Sequence, residues 1–175
     1  MDTTDTLTLD LDGRAIPWRT RSPGRLLGGL IIGPDRATRT AAASQIAAHM
    51  SGFASVAFGD PSGNVGADDY SDFVYEADNI EQMNAALTHR FTDPDGPNRW
   101  ASQIHVWNSV LIVEDTAKVL EHPDAGPGLE RLALWGSKVG MAVVALAETL
   151  PEASEGMRAL AAQNFVELRA PVVAA

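Results

Sequence analysis

Five short apolar runs, separated by stretches with helical spacing, constrain this chain more than any other feature. They are LLGGLII (26–32), ASVAFGD (54–60), the centre of VWNSVLIVED (106–115), MAVVALAE (141–148) and NFVELRA (164–170). Apolar runs of this length, bounded by turn residues, mark buried strands. Between them Ala42, Ile46, Ala47 and Met50 share one helical face, as do Ile80, Met83, Leu87 and Phe91, and then Met157, Leu160 and Ala161. Thr38 or Thr40 is expected to cap the first helix, Gly52 to end it, and Asp78 and Glu81 to box the start of the second. Pro123 to Gly128 reads as a turn-rich break, 129–138 as a helix closed by Gly140, and 152–163 as the last helix. Strands alternating with helices predict an α/β fold with a mostly parallel sheet and right-handed crossovers. Ahead of it TLTLDLDGRAIPW (6–18) alternates around Asp12-Gly13, a pair favoured in two-residue hairpin turns. An N-terminal β-hairpin and lead-in over 1–25, then an α/β core over 26–175, are therefore expected, in a single domain overall. The 175 residues suffice for one sizeable core.

Charge and composition narrow the function classes. The net charge is −10 and the isoelectric point near 4.7. Phosphate backbones are held by Lys and Arg, so DNA binding is not indicated by this balance. The densest basic run, RAIPWRTRSPGR with Arg14, Arg19, Arg21 and Arg25, reads as solvated charge. With no cysteine there is no disulfide framework and no cysteine-based metal site or nucleophile. MDTTDTLTLD lacks the basic and apolar regions of a secretory signal, and no apolar run approaches the ~20 residues of a membrane span. A cytoplasmic protein is the expectation, or a virion-associated one if the gene belongs to a phage.

In parallel sheets ligands gather at the carboxyl ends of the strands. Here those ends carry Gly33–Thr40, Asp60, Glu114-Asp115 and Glu148. The stretch IIGPDRATRTAA (31–42) has the strand–loop–helix setting of a phosphate-binding loop, G-x-x-x-x-G-K-[ST]. Gly33 matches the first glycine and Thr40 the last position; Thr38 stands at the second glycine and Arg39 at the lysine. Pro34 has no N–H to offer a phosphate, and Asp35 adds a negative charge. Thr38 is stiff where a bare backbone is needed, and Arg39 keeps the charge without the compact ammonium. Thr40 retains a hydroxyl that could hold Mg²⁺.

Taken together, GRLLGGLIIGPDRATRTAAASQIAAHM, VAFGDPSGN, VLIVEDTAKVL, LERLALWGSKVGMAVVALAETLP and NFVELR resemble the FtsK/SpoIIIE-like DNA translocases, including the plasmid-transfer proteins of actinobacteria. The likeness runs from about residue 10 to 170 in the right order. It implies a RecA-like P-loop three-layer sandwich with a five-stranded sheet in the order 5-1-4-3-2. It also implies that Asp115 occupies the magnesium-associated position, with Thr40 and Asp115 as the metal pair if Mg is bound at all. Thr116 falls where the family has its water-activating Glu, and a hydroxyl is a poor general base near neutral pH. Glu114, one residue away in a strand, is expected to face the opposite way. Glu148 falls at the sensor position, where Gln is expected. The family's motors act as rings with an arginine reaching a neighbour's phosphate. Arg131 and Arg158 are candidates for it, with solvated helix charges the stronger expectation.

The resulting expectation is a catalytically degenerate P-loop domain with a vestigial loop at Gly33, Thr38, Arg39 and Thr40, binding no cofactor or only weak Mg-ATP. It would be a non-hydrolysing assembly, structural or regulatory subunit of a phage, plasmid-transfer or secretion system. Its partners would be proteins: further copies, an intact translocase or a structural complex. An active translocase subunit with an atypical site and an unrelated partner-binding α/β module are the alternatives. His49, His89, His105 and His122 share no metal-ligand spacing, and Ser44, Ser51 and Ser109 sit in no nucleophile elbow. Trp18 and Trp100, beside loops, are expected at interfaces, whereas Trp107 and Trp135 lie in periodic segments and suit a core.

Overall fold

A computed structural model describes residues 4–58, 79–94, 108–152 and 154–169. The alternating N-terminal segment forms an antiparallel sheet of β1 (Asp5–Leu11), β2 (Arg14–Ser22) and β3 (Arg25–Leu26). Asp12 and Gly13 make the β1–β2 turn, both with positive φ (51° and 74°), as a two-residue hairpin requires. The apolar runs become β4 (Gly29–Ile32), β5 (Ser55–Phe58), β6 (Ser109–Val113), β7 (Met141–Ala147) and β8 (Phe165–Glu167). They form one parallel sheet in the order β5-β6-β7-β4-β8. Numbered from β4 and read from the β8 edge, this is the 5-1-4-3-2 order of a RecA-like core.

The helices are α1 (Arg36–Met50), α2 (Asn79–Phe91), α3 (Thr116–Glu121), α4 (Ala125–Trp135, then a 3-10 turn at Gly136–Val139) and α5 (Glu155–Gln163). Successive residues of β7 point to opposite sides of the sheet. Ala142, Val144 and Leu146 pack with Ala42, Ile46 and Met50 of α1 and with Leu9, Leu11, Trp18 and Leu26 of the antiparallel sheet. Met141, Val143 and Ala145 pack with Leu87, Leu129, Leu132 and Leu160 on the other side. The three layers follow from that alternation. Asn164, at the start of β8, stitches them together: its side chain accepts from Arg19 N (2.9 Å) and donates to Arg19 O (2.8 Å) and Gly28 O (2.7 Å).

Several expectations need correction. α1 begins at Arg36 with Asp35 as its cap, not at Thr38 or Thr40, because the Asp35 carboxylate accepts the Thr38 N–H. The break at 123–128 is largely helical. Pro127 lies in the first turn of α4, where a missing N–H loses no helical bond, and a side chain at Gly126 would collide with the Leu120 carbonyl. Trp18 is fully buried rather than at an interface, and Trp135 is 45% exposed rather than in the core. Trp100, Trp107, Asp60, Asp78 and His105 lie outside the described residues. No described helix is long and apolar enough to cross a membrane.

Candidate functional site

At the carboxyl end of β4 the chain passes through Gly33 and Pro34 into α1. The first N–H groups of a helix lack intrahelical partners, and the helix dipole makes that end positive, so it attracts an anion. Here the anion comes from the chain itself. Asp35 Oδ2 accepts the Thr38 N–H at 2.8 Å and also the Thr38 hydroxyl. These bonds, the side-chain one foremost, hold the Asp35 carboxyl below the usual carboxylate range. The Gly33 N–H is bound to Ala147 O at 3.0 Å, and a Cβ at Gly33 would come within 2.6 Å of Leu168 Cβ. This glycine is thus explained by close packing of β4 against the end of β8.

Arg39 turns inward. It is 4% exposed, its Nη1 donates to Gly33 O, and its Nε and Nη2 both donate to Glu114 Oε1 at 3.1 and 2.9 Å. The partner is the last buried residue of the β6 segment, itself 1% exposed, and its Oε2 finds no partner among the described residues. Burial pushes the Glu114 carboxyl up, with Arg39 pulling the other way. Sequence reasoning had Glu114 facing away from Asp115 and assigned it no role. The available signal was an acid ending an apolar strand, which once buried needs a cation.

Asp115 follows in a left-handed conformation (φ 51°, ψ 45°), and its carboxylate meets Lys118 at 3.4 Å. Thr116 is fully buried, and its hydroxyl donates its proton to Leu146 O at 2.7 Å. Asp115, Thr116 and Lys118 share a shallow cleft of about 180 Å³ with Glu148 and Thr149. The structure therefore gathers Asp115 and Glu148 at one cleft and locks Gly33, Thr38 and Arg39 into the α1 cap. Thr40 is half-buried on α1. No group of three or more His, Asp or Glu among the described residues is placed to hold a metal ion. Arg131 donates to Thr88 Oγ1 at 3.1 Å on the neighbouring helix. His49 pairs with Asp5 at 2.7 Å, and His122 Nδ1 accepts the amides of Asp124 and Ala125 ahead of α4.

Against this geometry Mg-ATP fits poorly. A triphosphate at the α1 N-terminus would have to displace one carboxylate, and the cation that should meet it is held by another. Of the amides that should wrap it, those of Gly33, Thr38 and Arg39 are bonded within the chain. Asp35→Ala is expected to lower the thermal midpoint at neutral pH by unsatisfying α1. Because the Asp35 pKa is depressed on folding, its contribution is present above the unfolded carboxylate value and is lost as pH falls through the folded one. Melting curves from pH 7 down to pH 2 should therefore show the variant and the parent converging in acid.

No protein-family model and no curated protein sequence matches the chain. Solved structures do. The cytoplasmic domain of EssC superposes with a TM-score of 0.65 at 11% identity, covering 94% of this chain and 37% of that one. TcpA, the pCW3 conjugation coupling protein, in its monomer form with ATPγS, gives 0.56 at 10% identity over 91% and 52%. EccC of Thermomonospora curvata (ATPases 2 and 3), in complex with a signal sequence peptide, gives 0.56 at 17% identity over 85% and 29%. What the chain shares with these three proteins is the fold, a RecA-like α/β core. The chain spans from 29% to 52% of the length of these three proteins.

Proposed function

We propose that this FtsK-like domain is catalytically degenerate and serves as a non-hydrolysing assembly or regulatory subunit of a secretion, plasmid-transfer or phage system. One observation carries the reading: the anion site at the head of α1 is filled by the chain's own Asp35, while Arg39 is held by Glu114 and the Gly33 carbonyl. Loop, base position and sensor position depart together, at Thr38 and Arg39, at Thr116, and at Glu148. The likeness to a conjugation coupling protein and to type VII secretion ATPases supports the setting.

Calorimetric titration with Mg-ATP, alongside a phosphate-release assay, tests the reading. No heat of binding up to millimolar nucleotide and no turnover are expected. Micromolar binding with turnover, both lost in Asp115→Ala, would overturn it. Binding without turnover would overturn the filled-site argument and make nucleotide a structural ligand.

A further inference from the structure

β8 is an edge strand of the parallel sheet: β4 lies on one side of it, and no described strand lies on the other. Its backbone on that open side is ready to receive one. Leu30 N–H donates to Asn164 O at 2.9 Å, and Leu168 N–H donates to Ile32 O at 2.7 Å. In a parallel ladder the residues that bond one neighbour alternate with those that face the other way. Val166, between these bonds, therefore serves β4, and the N–H and C=O groups of Phe165 and Glu167 point off the sheet. Such a row is a template for a further extended segment.

Beside that edge lies an apolar cleft of about 240 Å³. Phe165 lines it from β8, Met157 and Ala161 from α5, and Leu150 and Pro151 from the loop that follows β7. Leu150 and Phe165 are left 62% and 47% exposed, although Leu30 and Met157, which line the same cleft, belong to the buried core. Arg158 is the charged residue along it. An extended segment hydrogen-bonded to Phe165 and Glu167 would lay every second side chain on this side of the sheet, over the cleft. The segment that suits both features is strand-forming, apolar and uncharged.

The geometry points to residues 171–175 of this same chain as the occupant. They lie outside the described residues, and their sequence, Pro-Val-Val-Ala-Ala, carries no charged side chain and two β-branched valines, which favour strands. Only Ala170 separates them from Arg169, so the contact is intramolecular and requires no high concentration of a partner. Pro171 suits the turn that reverses the chain. Strand residues advance about 3.4 Å each, so Val172 to Ala175 suffice to run back along the three residues of β8. The segment adds an antiparallel strand to the sheet, covers Leu150 and Phe165, and closes the edge at which another chain would pair.

Amide hydrogen exchange on the whole chain, read residue by residue by NMR, tests it. The Phe165 and Glu167 amides, which β4 does not hold, should exchange at least about tenfold more slowly than unprotected amides, and at the same rate over a concentration series. Leu168, whose N–H is held by Ile32 O, reports on the sheet itself. Val172→Asp with Val173→Asp puts charge into the segment, and Leu150→Asp puts it into the cleft wall. Each should speed exchange at Phe165 and Glu167 by about tenfold or more while Leu168 stays protected, which also verifies that the variants fold. Should a variant lose Leu168 as well, the parent measurement decides alone. Free exchange of Phe165 and Glu167 in the parent would overturn the proposal. So would protection that survives both variants, or protection lost on dilution, the sign that another copy fills the edge. None of these outcomes bears on nucleotide, so this inference and the calorimetric one fail separately.

Discussion

Arg39→Ala lowers the stability of the folded chain by about 3–5 kcal/mol, the range seen when one partner of a buried ion pair is removed. Arg39 and Glu114 have side chains 5% and 2% exposed, so neither is relieved by water once its partner is gone. Glu114 bears most of the loss. Both Arg39 bonds fall on its Oε1, its Oε2 already lacks a partner among the described residues, and burial disfavours its charge. The Gly33 carbonyl loses its Nη1 donor as well. Arg39→Met combined with Glu114→Leu is expected to recover most of the stability, since a well-packed apolar pair avoids desolvating two charges. Arg39→Lys is expected to remain destabilised, because one ammonium cannot replace a planar fork that serves a carboxylate and a carbonyl together. Urea unfolding of the three variants and the parent is the measurement. A loss under about 1 kcal/mol for Arg39→Ala, the scale of exposed pairs, would contradict the buried-latch description.

Trp18→Ala is expected to cost about 3–5 kcal/mol, as large aromatic truncations in cores do. Its ring fills the space between the N-terminal sheet and the parallel sheet, and it lies against Gly29 so closely that a Cβ there would come within 2.6 Å of Trp18 Cη2. The indole N–H finds no acceptor among the described residues. Trp18→Phe therefore gives up volume but no hydrogen bond, and should lose much less than the alanine. Equal losses for the two would show that the indole nitrogen has a partner after all. Loss of the N-terminal strands with an intact parallel core, read by amide exchange, is the expected form of the damage in Trp18→Ala.

What could be read in the residues follows the strength of each local signal. The five strands were legible because apolar runs and helical stripes alternate without interruption; their order in the sheet came only with the resemblance to a known family, since alternation alone leaves several orders open. α3 and the first turn of α4 were not. Pro123, Gly126, Pro127 and Gly128 spell a loop by local preference, and only packing of Gly126 against the Leu120 carbonyl makes them helical. Trp18 was legible in principle: it shares the inward alternation of β2 with Ile16 and Thr20. The departures of 33–40 from a phosphate-binding loop were legible, but the contacts those residues make were not. Asp35 reads in the sequence as a negative charge brought towards a phosphate, whereas its carboxylate caps α1. Arg39 was read as an imperfect lysine, whereas it is half of an ion pair whose other half is 75 residues away. Sequence spacing has no means of announcing a contact of that range.

The Arg39–Glu114 pair also governs the order in which this sequence can change. Between this chain and one with lysine at 39 and an apolar residue at 114 lie two single substitutions. Changing Glu114 first leaves Arg39 buried without its carboxylate, and changing Arg39 first leaves Glu114 an ammonium in place of a planar fork. Either intermediate forfeits a large share of the roughly 5–15 kcal/mol that keeps a domain folded. The pair is a one-way gate: once both halves are in place, neither can be withdrawn alone. A sequence carrying it can exchange one half only together with the other.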